Sequence, residues 1–169
     1  RFARRLLPTV RMVARQLLHG SDDAKDAAQV SLIELLNSAS NYAGRGPLEA
    51  WARRIATRST LRLMKRSRNR DRKLAQAQES TKPELHTSLR TEALDRLPRP
   101  IDEYLEQLSE VQRTAVLLRF VLGHTIPEIS ELTEAPVPTV KSRIQKGHQE
   151  LQRMVRRDMN LGVRRADDE

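Results

Sequence analysis

Residues 125–147, TIPEISELTEAPVPTVKSRIQKG, decide the fold. Thr125 and Glu128 have the spacing of a capping box, in which each side chain accepts a hydrogen bond from the backbone N–H of the other residue. This motif predicts a short helix that begins after Thr125. Because proline is tolerated in the first turn of a helix, the prolines on either side of Val137 predict that a second helix begins there. The stretch is therefore predicted to form a helix-turn-helix.

The second predicted helix has one apolar face and one polar, basic face. Helical spacing places these residues on the apolar face: Val137, Val140, Ile144 and Leu151. The opposite face carries Pro138, Lys141, Ser142, Gln145 and Lys146. A helix anchored on one side and basic on the other suits the major groove of DNA, where Lys can donate to guanine and Gln can pair with adenine.

The composition is basic and contains no cysteine. The chain has 31 Lys and Arg against 22 Asp and Glu, and the resulting net charge of +9 favours a polyanionic partner. The absence of cysteine excludes disulfides, thiol catalysis and cysteine-containing zinc sites. No apolar run reaches the roughly 18 residues of a membrane span, and no signal peptide is recognisable, so a cytoplasmic protein without membrane insertion is expected. With two Phe, two Tyr and one Trp, the cores must depend on aliphatic residues, which favours helices over sheets.

Two helices are predicted near the N-terminus. Residues 1–19 carry a helical apolar stripe in which Pro8 either kinks the helix or marks the first turn of a helix that begins there. Residues 22–38 carry two apolar stripes. The first contains Ala24, Ala28, Leu32 and Leu35, and the second contains Val30, Ile33 and Leu36. A helix that is apolar on two sides either lies centrally in a bundle, which we favour, or covers one side with a partner protein.

A third predicted helix opens at Pro47 and carries a basic stripe. The stripe has spacings of four, four and three residues and consists of Arg54, Arg58, Arg62 and Lys65. Trp51 lies in line with it. Because Glu49 and Asp71 are the acidic residues of this helix, most of these cations lack an acidic neighbour one turn away. We therefore interpret the stripe as a phosphate-binding surface rather than a solvated face.

The second half of the chain is predicted to form a separate domain. Residues 73–100 have mixed charge and three prolines, which is typical of a linker. Residues 101–160 form a helical domain, in which Ser109 and Gln112 make another capping box before the helix whose core face is Val111, Ala115, Leu118 and Leu122. Residues 161–169 form a tail. The prediction is an all-α protein of two small helical domains joined by a flexible linker. No catalytic constellation, metal site or cofactor site is predicted, so we do not expect an enzyme.

Taken together, the two halves resemble a bacterial RNA polymerase sigma factor of the sigma-70 family, of the extracytoplasmic-function type. The resemblance covers residues 1–72 and 101–157. In the first half, DDAKDAAQ at 22–29 and GPLEAWARRIATRSTLRLMKR at 46–66 resemble the family's region two. In the second half, almost the whole sequence resembles the family's region four, and the strongest resemblance is TVKSRI at 139–144.

The resemblance implies a specificity subunit that binds core RNA polymerase and directs promoter recognition and opening. Region two would dock on the polymerase clamp, with Asp26 and Gln29 at the contact positions. The −10 element would be bound by Asn41, Tyr42, Arg45, Trp51, Arg54, Arg58, Arg62 and Lys65. The −35 element would be bound by Thr139, Lys141, Ser142, Arg143, Gln145 and Lys146. An anti-sigma factor is a further partner for which the resemblance leaves room.

Some roles stay open at the level of sequence. Tyr42 either stacks on a base that has left the duplex or fills a core position, and Trp51 either anchors packing or contacts the melted junction. Lys141 and Lys146 contact either base edges or phosphates. The chain departs from the family, which commonly has an acidic residue at Val30, aromatics at Leu32 and Leu36, Asn at Arg58 and Asp at Arg62.

Two other functions compete with this interpretation. A stand-alone helix-turn-helix regulator would bind duplex DNA without polymerase, but it would leave Asp26, Gln29 and the linker without a role. A nucleic-acid-processing enzyme would need an acidic or histidine cluster on the basic face, and the four histidines are scattered along the sequence.

Overall fold

The computed structural model describes residues 2–18, 22–74 and 97–161, and all regular structure in these ranges is helical. The chain divides into two compact units, Arg1–Glu84 and Leu85–Glu169. The predicted all-α class is confirmed for the described part of the chain. Most of the predicted linker and nearly all of the predicted tail lie outside the described residues, and the exact domain boundaries stay a prediction.

In the first unit, residues 2–18 and 22–74 form three α-helices that pack pairwise against one another. They are α1 (Phe2–Leu18), α2 (Asp22–Asn37) and α3 (Leu48–Leu74), with a short 3₁₀ turn at Ala39–Asn41 between the last two. Helix α1 continues through Pro8, so the alternative in which a helix begins at that proline is wrong. The other two helices begin and end close to their predicted bounds.

The core of the first unit joins large side chains of α1 to small ones of α2 and α3. Buried side chains of α1 are Leu6, Val10, Val13, Ala14 and Leu17. Those of α3 include Ala52, Ala56, Thr57, Ser59 and Thr60. Because the distance between packed helices depends on the side chains at their contact, these small residues allow close approach.

Helix α2 has one buried stripe and one exposed stripe. Ala24, Ala28 and Leu35 are buried, as expected for a bundle. The second stripe is not: the exposed fractions are 43% for Val30, 59% for Ile33 and 45% for Leu36. The expectation that the bundle buries both stripes is therefore wrong. One side of α2 packs against α1 and α3, and the opposite side is exposed to solvent because no other helix of the described unit covers it.

In the second unit, the described residues 97–161 form four α-helices and one π-helical turn. They are α4 (Ile101–Glu106), α5 (Glu110–Val116), the π-helical turn Leu117–Val121, α6 (Ile126–Thr133) and α7 (Val137–Asn160). The predicted helix-turn-helix corresponds to α6 and α7, and it packs with α5 around a common core.

Both predicted capping boxes are confirmed. Before α6, the backbone N–H of Thr125 donates to Oε2 of Glu128 at 2.9 Å, and the backbone N–H of Glu128 donates to Oγ1 of Thr125 at 3.4 Å. Before α5, Ser109 and Gln112 make the equivalent pair. Glu134 ends α6 in the left-handed conformation with φ 52°, and α7 then begins at Val137 as predicted.

The core of the second unit lies between α4, α5 and α7. Its buried cluster consists of Tyr104, Leu105, Leu108, Val116, Leu117 and Met154. Two predicted core positions are wrong, because the exposed fractions are 44% for Val111 and 36% for Val137. Both residues lie in the first turn of their helix, where the chain enters from the surface. Val140 is buried as predicted.

Candidate nucleic-acid interface

The N-terminal half of α7 presents a polar and basic surface on an anchored helix. Buried Val140 and Gly147 fix the inner side of this half against the rest of the unit. The side chains on its exposed side are Lys141, Ser142, Gln145 and Lys146, with Thr139 and Arg143 half-buried at the edge. Helix α7 has 24 residues and is about 36 Å long. A major groove about 12 Å wide therefore admits its first turns, which carry these residues.

A surface groove of about 510 Å³ lies beside this part of α7. It is lined by Ser109, Val111, Gln112, Pro138, Thr139, Ser142, Arg143 and Lys146. Thr139 and Arg143 thus face the start of α5, whereas Lys141 and Gln145 lie on the other side of α7. The arrangement fits phosphate contacts for the first pair and base contacts for the second.

In the first unit, the loop before α3 folds back on the helix through an aromatic pair. The ring centroids of Tyr42 and Trp51 are 5.2 Å apart, and the rings are inclined by 49°. The Tyr42 hydroxyl donates a hydrogen bond of 2.7 Å to the carbonyl oxygen of Gly46. Gly46 has φ 99°, a conformation that a residue with a side chain rarely adopts. Tyr42 is thus a half-exposed loop residue packed on Trp51, and the core alternative is wrong.

The basic stripe of α3 is exposed at all four positions, Arg54, Arg58, Arg62 and Lys65. Arg62 has an acidic partner, because its Nη1 lies 2.7 Å from Oε1 of Glu34 on α2. The expectation of a stripe without acidic partners is therefore wrong at Arg62. Periodicity along one helix reveals only the acids of that helix, whereas Glu34 lies on the neighbouring helix α2. Exposed ion pairs of this kind contribute little to stability, and a phosphate can replace the carboxylate.

The exposed side of α2 combines apolar and polar residues. Asp26, Gln29, Val30, Ile33 and Leu36 lie within an arc of about 120° on this helix, and all five are exposed. The three aliphatic side chains form a contiguous stripe at helical spacing. An exposed apolar stripe with polar residues at one end is typical of a protein-binding surface.

A buried ionic cluster at the far end of α7 was not predicted. The Asp158 side chain is 1% exposed, and its Oδ2 lies 2.9 Å from Nε of Arg99. Burial and the neighbouring Asp158 raise the pKa of Tyr104 above its ordinary value. These contacts fasten the end of α7 to the start of the unit. The sequence offers little sign of this cluster, because Asp158 is a single acid in a basic turn and lies 59 positions from Arg99.

Residues 2–18, 22–74 and 97–161 contain no group of three His, Cys, Asp or Glu residues that could hold a metal ion. None of the helices in these ranges is long and apolar enough to cross a membrane.

A helical bundle with a basic helix and an exposed apolar stripe, followed by a helix-turn-helix unit, defines a DNA-binding protein that also binds a protein partner. Comparison with known families identifies the class. Residues 2–70 match sigma-70 region 2, and residues 98–151 match sigma-70 region 4. The chain belongs to the sigma-70 family of RNA polymerase sigma factors.

Individual relatives agree with this assignment. The RNA polymerase sigma-H factor of Pseudomonas aeruginosa is 26% identical over 138 residues, which cover 76% of this chain and 71% of that protein. The fold is similar to sigma factor RpoE of Bartonella quintana, solved with the anti-sigma factor NepR (TM-score 0.62, 22% identity, 90% and 92% of the two chains). It is also similar to CnrH, solved with the cytosolic domain of CnrY (TM-score 0.53, 18% identity, 92% and 85% of the two chains).

The function follows from the family. The chain is a sigma factor, which binds core RNA polymerase and directs it to promoters for the initiation of transcription. The match to two different sigma regions confirms the sequence interpretation, and neither match favours a stand-alone regulator.

Proposed function

We propose that the two units divide promoter recognition between them. The first unit, with residues 1–72 as region two, binds the polymerase clamp and the −10 element. The second unit, with residues 101–160 as region four, binds the −35 element. The observation that carries this division is that each unit has its own exposed basic helix face, on α3 and on α7.

The polymerase contact is formed by the exposed face of α2. Val30, Ile33 and Leu36 provide the apolar area, and burying such side chains is the main favourable term in protein association. Asp26 and Gln29 provide the polar contacts at the N-terminal end of this face. Aliphatic residues at Val30 and Leu36, where the family commonly has acidic and aromatic ones, make this contact more dependent on Ile33.

The −10 element is bound by the loop and the basic face of α3. Tyr42 and Trp51 offer half-exposed rings on which a base that has left the duplex can stack. Asn41 and Arg45 lie in the same loop and supply hydrogen-bond donors. Four cations then hold the backbone of the strand, namely Arg54, Arg58, Arg62 and Lys65.

The −35 element is bound by the first turns of α7. Lys141, Ser142, Gln145 and Lys146 face the base edges. Thr139 and Arg143, which line the groove beside α5, bind phosphates. This assignment gives the two half-buried residues a role in affinity and the four exposed residues a role in specificity.

Transcription reconstituted with core polymerase and a promoter library tests the proposal. The wild-type protein is expected to co-purify with core polymerase and to yield promoter-dependent transcripts. Ile33→Ser removes an exposed apolar side chain from the docking face and should weaken core binding about 10-fold or more, since burial of such a side chain stabilises by about 1.5–3 kcal/mol. Met12→Ser, at an exposed position of α1, is the matched control. Equal core binding by the two variants would refute the docking face.

We further propose that an anti-sigma factor regulates this protein in the cytoplasm, where it acts on the nucleoid with RNA polymerase. Sigma factor RpoE of Bartonella quintana was solved with the anti-sigma factor NepR, and CnrH was solved with the cytosolic domain of CnrY. The exposed stripe of α2 is the surface for which such a partner would compete with polymerase. A regulator that binds the Ile33→Ser variant as tightly as the wild type would place its contact elsewhere.

A further inference from the structure

The outward face of α1 carries a second row of arginines to which no role has been given. Arg4, Arg11 and Arg15 are exposed and lie within an arc of about 40° on this helix. The opposite side of α1, with Leu6, Val10, Val13 and Leu17, is buried in the bundle. The row therefore points away from α2 and α3, and packing does not account for it.

The row differs from an ordinary solvated helix face, which mixes both signs of charge. Residues 2–18 contain no Asp or Glu, so no acid on α1 can pair with these arginines. Within the described residues, Arg4, Arg11 and Arg15 make no hydrogen bond or ion pair. The neighbouring Arg5 does: its Nη2 lies 2.8 Å from Oε1 of Glu49. That pair lowers the pKa of the Glu49 carboxyl, which stays charged at neutral pH and offsets the charge of Arg5.

We propose that Arg4, Arg11 and Arg15 bind the sugar-phosphate backbone of promoter DNA, as a third contact besides the −10 and −35 surfaces. This inference rests on the proposed function, because it needs the first unit to be held on a promoter. A row of like charges without counter-charges attracts a polyanion by releasing its condensed counterions.

The geometry of the row fits a nucleic-acid strand. The three arginines span residues 4–15, and the 11 helical rises between the first and the last amount to about 16 Å. This length matches about five phosphates at 3.4 Å of axial rise each. The Arg5–Glu49 ion pair joins α1 to the first turn of α3, which also carries Trp51 of the proposed −10 site. DNA that leaves that site can therefore continue onto α1, either as duplex or as the melted strand.

The experiment measures the salt dependence of promoter binding by the reconstituted holoenzyme. The test variant is Arg11→Gln with Arg15→Gln, and the matched control is Arg5→Gln, which removes a charge already paired with Glu49. Two promoter probes are compared: one ends as duplex at the −10 element, and the other continues with about ten nucleotides of melted strand. Each lost phosphate contact should reduce the slope of log K against log salt by about 0.7–0.9. Over a fourfold rise in salt, wild-type affinity should thus fall about 7–12-fold more than that of the test variant.

The outcomes separate the sources of phosphate. A reduced slope on the longer probe alone assigns the row to the melted strand, and a reduced slope on both probes assigns it to duplex DNA. Unchanged slopes, or an equal reduction with Arg5→Gln, would overturn the proposal. Weaker binding of the test variant to core polymerase would also overturn it, in favour of an acidic protein surface. Failure of the wild-type holoenzyme to recognise any promoter would instead refute the proposed function.

Discussion

Gly147 shows how one residue sets the position of the recognition helix. A Cβ atom at this position would lie 2.8 Å from Cγ2 of Val116 and 3.4 Å from Cβ of Gln112, both on α5. Val116 is buried and its helix is fixed by the core, so it has little room to move. Any side chain here must therefore push α5 and α7 apart.

Gly147→Ala is accordingly expected to destabilise the second unit, although alanine normally favours a helix. Overpacking of this kind costs about 1–3 kcal/mol, which exceeds the helix-propensity gain of about 1 kcal/mol at its upper range. Chemical denaturation followed by circular dichroism measures the change. Val116→Ala removes the clashing Cγ2 but also removes core packing. In the Val116→Ala background, Gly147→Ala should therefore lower the free energy of unfolding less than it does in the wild type. If Gly147→Ala alone has the same free energy of unfolding as the wild type, α5 and α7 can move apart without a cost in stability, which contradicts the prediction.

Asp158 illustrates a residue whose role depends on the folded chain. A carboxylate in the last turn of a helix opposes the macrodipole, and a buried one is costly unless it is paired. Here Arg99 supplies the pairing charge, and Tyr104 lies against the same carboxylate. The cluster thereby fixes the C-terminal end of α7, while Gly147 fixes its middle.

At the scale of helices, local signals predicted the structure and long-range contacts escaped prediction. The start of α6 followed from a capping box of four residues, and the start of α7 followed from two prolines. By contrast, the Arg62–Glu34 ion pair joins residues 28 positions apart, and periodicity on one helix cannot reveal it. The exposed stripe of α2 was ambiguous for a similar reason: an apolar stripe has the same pattern whether a neighbouring helix or another protein covers it.

The recognition helix allows affinity and specificity to be separated. Lys141→Ala and Gln145→Ala are expected to change the preference among −35 sequences, since each good base contact contributes about 1–3 kcal/mol of discrimination. Thr139→Ala and Arg143→Ala should lower affinity about equally for all sequences, because phosphate contacts carry no sequence information. Holoenzyme binding to a randomised −35 library measures both quantities, and core binding is the control. If Lys141→Ala and Gln145→Ala instead lower affinity equally for all −35 sequences, these two residues are phosphate contacts.

At the scale of the whole molecule, the proposed division of promoter recognition between two units makes promoter binding bivalent. Once one unit is bound, the other binds at an effective concentration set by the segment between them. Residues 75–96 separate the described parts of the two units, and their composition predicts a linker. Such a segment can act either as a tether between the units or as a contact with polymerase.

Inserting about 20 Gly and Ser residues near residue 85 distinguishes these roles. If the segment is a tether, doubling its length raises the free energy of loop closure by about 0.6 kcal/mol, so promoter affinity should fall about threefold. The longer tether should also tolerate a wider range of spacings between the −35 and −10 elements. For a segment that makes specific contacts with polymerase, core binding itself should weaken, whatever the promoter. Two measurements distinguish these outcomes: the affinity of the holoenzyme for promoters of different spacing, and the affinity of the inserted variant for core polymerase. We expect the tether result for DNA binding, because the two basic surfaces belong to separate compact units and neither needs the linker to form.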